Sequence, residues 1–402
     1  MGLNDTPSAD RVHIGFFGRR NAGKSSVVNR VTGQQLSVVS DVKGTTTDPV
    51  YKAMELLPVG PVMIIDTPGM DDEGELGLLR VKKAKQVLNK TDVAILIVDA
   101  MEGLQAGEQE MIALFEAKEI PYIIVMNKKD LLAEGDAAGQ NEHSILVSAK
   151  TGENIHELKE KIAALASEEE SEKRIVADLL SPMDFVVLVV PIDKAAPKGR
   201  LILPQQQTIR DILEANAVSV VVKETELKDT LNNMGTTPKL VITDSQAFAQ
   251  VSADTPEDIM LTSFSILFAR YKGNLKSMIA GVTALKNLQD GDKILISEGC
   301  THHRQCDDIG TVKLPGWIRE FTGVEPEFSF TSGAEFPDDL SEYKMIIHCG
   351  GCMLNEREVK YRIKCAEDQN IPMTNYGIAI AYMKGILKRS LTPFPDIAEL
   401  LD

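Results

Sequence analysis

Two groups of residues on this chain have the types and spacing to do chemistry. The first opens with Gly18-Arg19-Arg20-Asn21-Ala22-Gly23-Lys24-Ser25-Ser26, a Walker A sequence. Its glycines let backbone N–H groups wrap a phosphate chain, and the helix that must follow favours negative charge at its start. Lys24 would reach the β- and γ-phosphates and Ser25 would ligate Mg²⁺. Asn127-Lys128-Lys129-Asp130 then names the base. A carboxylate at Asp130 accepts two hydrogen bonds from guanine and finds no such pair on adenine. Ser148-Ala149-Lys150 adds a backbone N–H suited to the guanine O6. Asp66-Thr67-Pro68-Gly69 supplies a carboxylate for Mg²⁺ through water and, at Gly69, an N–H for the γ-phosphate. Gly44-Thr45-Thr46-Thr47-Asp48 falls where a switch loop belongs, with Thr45 or Thr46 as the Mg²⁺ ligand. Lys24, Thr45, Thr46, Asp66 and Gly69 are thus the candidate catalytic residues.

The second group is Cys300-Thr301-His302 together with His348-Cys349-Gly350-Gly351-Cys352. Three thiolates and one or two imidazoles suit a structural zinc. Three cysteines also suit an iron–sulfur cluster whose fourth iron is held weakly or left open. A set of thiols without metal is the third reading. Gly350 and Gly351 leave room for a bulky group and let N–H groups turn toward sulfur. Cys300, Cys349 and Cys352 are the candidate ligands, with His302 and His348 secondary. His303 and Cys306 lie near Cys300, Cys365 reads as a core cysteine, and His13 and His143 carry no signal.

Elements must bring these residues together. Residues 11–166 alternate apolar strands (Val12–Phe17, Val62–Ile65, Ala94–Val98, Tyr122–Met126, Ser144–Val147) with helical stretches, the pattern of a parallel sheet covered by helices. Each nucleotide motif follows one of these strands or leads into a helix. The polar run Ser167–Arg174 reads as a linker. Beyond it, Phe185–Val190, Val218–Val222 and Leu240–Thr243 are expected strands, and 207–214 and 226–232 expected helices. Residues 258–288 read as a mostly helical stretch. Lys293–Ser297 and Lys344–Ile347 are short strands that run into the two cysteine segments, where parallel strand ends converge on one crevice. Residues 358–367 read as a helix, and Ile378, Ala381, Tyr382 and Gly385 have the spacing of a packed helix face. The expected architecture is α/β with three domains: a GTP-binding domain (1–170), a middle domain (171–262) and a domain carrying the Cys/His site (263–402).

Composition narrows the classes. A net charge of −16 opposes a nucleic-acid-binding surface, which needs clustered Lys and Arg. No apolar run reaches the roughly 18–20 residues that span a bilayer. The polar first eleven residues lack the apolar core of a signal peptide, so a cytoplasmic protein without membrane contact is expected. Five cysteines in such a chain read as ligands and buried thiols rather than a disulfide framework.

The motifs of residues 11–166 resemble those of translation-factor-like GTPases, in the group of the tRNA-modifying and ribosome-assembly GTPases. Met70 stands where Ras-like proteins place a water-orienting Gln, so hydrolysis needs another source of charge. Asn21 matches the residue that helps hold K⁺ beside the phosphates in related GTPases, and the resemblance implies K⁺ stimulation. The whole chain resembles the [FeFe]-hydrogenase maturation GTPases, the HydF family. That resemblance implies a [4Fe–4S] cluster on Cys300, Cys349 and Cys352, a homodimer formed through the middle domain, and transient carriage of a diiron precursor. It implies radical-SAM maturases as donors and apo-[FeFe]-hydrogenase as acceptor. The alternative is an RNA-modification or ribosome-assembly GTPase with a C-terminal zinc-binding domain; a third is an adaptor whose metal only holds the fold.

Overall fold

The computed structural model describes residues 6–35, 49–69, 83–84, 86–132, 143–168, 173–192, 201–299, 308–333 and 335–401. Residues 1–172 and 173–402 form two compact units. Thr45, Thr46, Met70, Cys300, His302, His303 and Cys306 lie outside the described residues.

The first unit holds strands β1 (Val12–Gly18), β2 (Val50–Leu56), β3 (Gly60–Asp66), β4 (Val93–Asp99), β5 (Tyr122–Asn127) and β6 (Ser144–Leu146). Helices α1 (Lys24–Thr32), α2 (Ala106–Ala117) and α3 (Ile155–Glu168) accompany them. The sheet order is β2-β3-β1-β4-β5-β6. All pairings are parallel except β2 with β3. The antiparallel edge strand β2 was not expected: Val-Tyr-Lys-Ala-Met-Glu-Leu is mostly exposed and so lacks the apolar run that marks its neighbours. In the inner strands alternate residues serve opposite faces. Ile14 and Phe16 of β1, with Ile95 and Ile97 of β4, join one apolar cluster. Phe17, with Ala94, Leu96 and Val98, joins the other. Burial on both faces is why these strands read as unbroken apolar runs.

The second unit contains two all-parallel sheets. The first, ordered β10-β9-β7-β8, comprises β7 (Phe185–Val189), β8 (Val218–Val222), β9 (Leu240–Thr243) and β10 (Met260–Ser263). The second, ordered β12-β11-β13-β14, comprises β11 (Lys293–Glu298), β12 (Glu327–Ser332), β13 (Met345–His348) and β14 (Met373–Asn375). Its helices include α4 (Leu203–Glu214), α5 (Leu227–Asn233), α6 (Phe248–Asp254), α7 (Phe264–Lys272), α8 (Leu275–Val282), α9 (Leu314–Thr322), α10 (Glu356–Asp368) and α11 (Tyr376–Met383). One apolar cluster runs through both sheets, from Val186 and Leu240 to Ile296 and Ile347. Helix α7 joins them, packing against α4 and α10.

The stretch 258–288 is not mostly helical from its start. Met260–Ser263 is the edge strand β10, its Leu261, Thr262 and Ser263 fully buried against β9. Ser263 then caps α7 through its side chain, accepting from the Ile266 N–H, so strand passes into helix without a turn. Ile378 and Ala381 are fully buried, and Cys365 is half-buried at the margin of the core.

Candidate functional site

The nucleotide motifs stand at the carboxyl ends of neighbouring strands. Register places Phe16 beside Asp66 and Asp99 beside Asn127. Between β1 and α1 the backbone turns through left-handed conformations at Asn21 (φ 65°) and Gly23 (φ 88°). A Cβ at Gly23 would lie 2.2 Å from the Asn127 Nδ2, so only glycine fits. That asparagine is the cross-brace of the site: its Nδ2 donates to the Ala22 carbonyl (3.0 Å) and its Oδ1 accepts from the Ala149 N–H (3.1 Å). The loop between β1 and α1 and the Ser148–Lys150 loop are thereby fixed to one buried side chain.

Asp130 accepts from the Ser148 hydroxyl at 2.7 Å and has the Lys150 ammonium 3.5 Å away. The Ser148 bond, with lesser help from Lys150, holds its carboxyl below the usual carboxylate range. Lys24 Nζ rests on Asp66, which joins the two groups assigned to phosphate and Mg²⁺. Thr67 anchors the following turn by donating its hydroxyl and N–H to the Phe16 carbonyl (2.7 and 3.2 Å). Ser25 and Ser26 occupy the first turn of α1, and Gly69 lies half-buried beyond Thr67.

Sequence reasoning missed two supports here. Asp99, ending β4, takes the Lys128 ammonium at 2.6 Å and orients that left-handed residue (φ 71°). Glu108 on α2, fully buried, pairs with Arg19 of the phosphate loop, which also reaches Glu102 at 2.8 Å. These carboxylates raise the Arg19 pKa, with Glu108 the larger cause. An acidic residue closing the apolar run Val93–Asp99 was the readable signal for Asp99; nothing in sequence marked Glu108.

In the second unit β11 and β13 lie side by side with Ser297 opposite His348, and the Cys349 N–H donates to the Ser297 carbonyl (2.9 Å). The Cys349 Sγ accepts from the Gly299 N–H at 3.1 Å and from the Gly351 N–H at 3.4 Å. Gly299 directly precedes Cys300 in sequence. Gly351 adopts φ 64°, a left-handed conformation that turns its N–H toward sulfur. Beside Gly350 the space where a Cβ would stand is open. Burial pushes the Cys349 thiol up to about 11 against these N–H donors, and raises Cys352 against the charge of Lys272. Among the described residues no group of three metal-binding side chains is assembled, Cys300 and His302 being outside them.

His348 has both ring nitrogens engaged. Nδ1 lies 2.7 Å from the Cys349 carbonyl and Nε2 lies 3.0 Å from Arg362 Nη1. A carbonyl only accepts and a guanidinium only donates, so the proton sits on Nδ1 and the ring is neutral. Burial, then the Arg362 charge, lowers its pKa to about 3. Arg362 is fully buried on α10. It also donates to Glu358 Oε1 (3.0 and 2.9 Å), Ser297 Oγ (3.3 Å) and the Gly333 carbonyl (2.7 Å). Removing one partner of such a buried pair costs about 3–5 kcal/mol. Asn355 starts the helix that carries it, accepting from the Glu358 N–H at 3.2 Å, a cap worth about 1 kcal/mol.

Comparison with known proteins divides the chain into three matched segments. Residues 175–273 match the hydrogen maturase F dimerization domain and residues 276–393 the hydrogen maturase F tetramerization domain. Together the two stretches exceed half of the 402 residues. The chain belongs to the hydrogen maturase F family. Residues 13–128 match the 50S ribosome-binding GTPase family, so the first unit of this hydrogen maturase F member is a GTPase domain. The tRNA modification GTPase MnmE of Thiobacillus denitrificans is 34% identical over 152 residues, which are 38% of this chain and 33% of the relative. The GTPase Der of Fusobacterium nucleatum is 32% identical over 228 residues, half of each protein. The chain thus spans a third to a half of the curated relatives it matches. Among solved structures, Era of Aquifex aeolicus with GDP and AlF4− aligns at 21% identity and a TM-score of 0.36, covering 52% of this chain and 93% of that one. The G domain of the T. maritima iron transporter FeoB aligns at 27% and 0.29, covering 39% and 99%. No described helix is long and apolar enough to cross a membrane.

Proposed function

We propose that this protein is a GTP-hydrolysing scaffold that holds a [4Fe–4S] cluster and passes a diiron precursor to apo-[FeFe]-hydrogenase in the cytoplasm. One observation carries the reading: the Gly299 N–H bonds the Cys349 sulfur, so the β11 end that leads into Cys300 meets the Cys349–Cys352 loop. The donor set fits the group. A metal that binds the buried thiol takes the place of its proton, and the amide donors at the Cys349 sulfur favour the thiolate that results. Cys300, Cys349 and Cys352 would hold the cluster, which supplies an open iron coordination position for cargo. Radical-SAM maturases would load the diiron unit, and the hydrogenase would receive it.

In the first unit, Gly18, Ala22, Gly23 and Lys24 would cradle the phosphates and Ser25, Asp66 and Thr45 or Thr46 would hold Mg²⁺. Lys24 would exchange its Asp66 partner for the phosphates as GTP arrives. Asn21 is exposed in the loop, with φ 65°, and would meet a K⁺ ion from solvent. Hydrolysis is therefore expected to run faster in KCl than in NaCl; equal rates of phosphate release would remove K⁺ from the mechanism.

Assembly of copies is expected from the dimerization and tetramerization segments. Strand β8 offers an open edge: the inner β9 is buried throughout, whereas Val221 of β8 is 45% exposed and its neighbours half-buried. A second copy adding its own edge there would cover these valines. The name of one relative, a tRNA modification GTPase, and that of the matched 50S ribosome-binding GTPase family favour a tRNA- or ribosome-directed GTPase as the second reading, with zinc at the cysteines; the net charge of −16 weighs against an RNA partner. Transfer decides between them. Protein loaded by its maturases should confer hydrogen evolution on apo-hydrogenase, and a loaded protein that activates none would end the carrier reading.

A further inference from the structure

Two buried cations hold the sulfur loop from different elements. Lys272 closes α7 and is only 4% exposed, its ammonium over the Phe268 ring, 6.0 Å from the ring centre. Its Nζ donates to the Leu354 carbonyl at 3.0 Å and reaches the Cys352 carbonyl at 3.5 Å. Arg362, from α10, grips the other end of the loop through His348, and with the same guanidinium reaches Ser297 on β11 and Gly333 beyond β12. One side chain therefore ties the carboxyl ends of three parallel strands. The loop acquires a polarity: carbonyls of Cys349, Cys352 and Leu354 turn to His348 and Lys272, while N–H groups of Gly299 and Gly351 face the Cys349 sulfur.

We propose that Lys272 and Arg362 are positioning residues that set the Cys349–Cys352 backbone in its ligating form, and that Lys272, unlike the Glu358-paired Arg362, holds positive charge beside the bound cluster. The inference rests on the cluster reading of this loop. Lys272 belongs to the segment matched by the dimerization domain, and the loop to the segment matched by the tetramerization domain. The staple thus makes the ligand loop answer to the position of α7. A cluster on thiolates gains negative charge when reduced, so cations held nearby favour the reduced form.

The test uses the full chain, reconstituted anaerobically. Lys272→Met keeps the stem's length and loses the ammonium; Lys272→Arg keeps charge and donors. Lys272→Met should melt cooperatively and hydrolyse GTP as the parent does. Its iron affinity should fall about 10–100-fold, as for other partners that orient metal ligands. Its midpoint potential, read by EPR-monitored redox titration, should move to more negative values, and Lys272→Arg should restore both. Parental iron affinity and potential in a folded Lys272→Met protein would overturn the inference. Arg362→Lys, which keeps charge and loses the planar fork, gives a second reading: it should bind iron more weakly than the parent, and parental binding would count against the role given to Arg362. A parent protein that takes up no iron and sulfide would fail the cluster reading itself, and that result is seen before any variant is compared.

Discussion

Alanine at Lys24 should abolish GTP hydrolysis while the iron content stays at the parental level. The side chain leaves the first turn of α1 and rests on Asp66, and both are nearly buried, 11% and 12% exposed. In the proposed mechanism it is the fixed positive charge over the β- and γ-phosphates. Loss of one preorganised donor from such a site typically lowers turnover about 10²–10³-fold. Water-orienting help from Met70 is not available to offset that loss, because a thioether neither donates nor strongly accepts. Phosphate release at saturating GTP, with iron counted on the same sample, checks the prediction. The separation is expected because the two candidate sites lie in different compact units, residues 1–172 and 173–402. Loss of iron from a folded Lys24→Ala protein would show that the sites are not independent.

Serine at Cys349 should do the reverse. The Cys349 sulfur accepts two backbone N–H groups and sits where β13 ends against β11. Serine keeps a hydrogen-bond acceptor there, so the loop and its strand pairing should survive. It replaces a soft thiolate with a hard, un-ionised oxygen that holds iron poorly. The loss should exceed the about 10–100-fold typical of partners that only orient a ligand. Iron and sulfide content after gel filtration, beside an unchanged GTPase rate, reads the outcome. Full cluster content in the variant would take Cys349 out of the ligand set.

Much of the first unit was legible because its strands are buried on both faces and its motifs follow them directly. Val12–Gly18, Val93–Asp99 and Tyr122–Asn127 are apolar runs ended by a residue of different chemistry, and those ends are the site. Of the edge strands, β6 and β8 were legible, whereas β2, β10, β12 and β14 were not. In β2 and β12 exposure removes the apolar run, and β14 has only Met373, Thr374 and Asn375 to show. Strand β10 was hidden by the helix that follows it without a break.

At the sulfur loop, the spacing of Cys349, Gly350, Gly351 and Cys352 suggested ligands with N–H groups turned toward sulfur, and the Gly351 N–H does bond the Cys349 sulfur. The supports gave no signal. Glu358 and Arg362 are spaced as an ordinary surface pair along a helix, and only the fold reveals that this pair is buried behind His348. Lys272 lies eighty residues before Cys352, and tertiary packing of α7 alone brings it to the loop. His348 illustrates the limit most clearly. Sequence places an imidazole beside two cysteines, whereas the structure directs both of its nitrogens into the protein.

The central claim, a thiolate-held iron–sulfur cluster on a GTPase chain, is tested most directly by one measurement. The protein is purified without oxygen, its iron, sulfide and zinc are counted, and the reduced sample is examined by EPR. The account predicts about four irons and about four sulfides per chain with the signal of a reduced cluster. About one zinc per chain with no sulfide would contradict it.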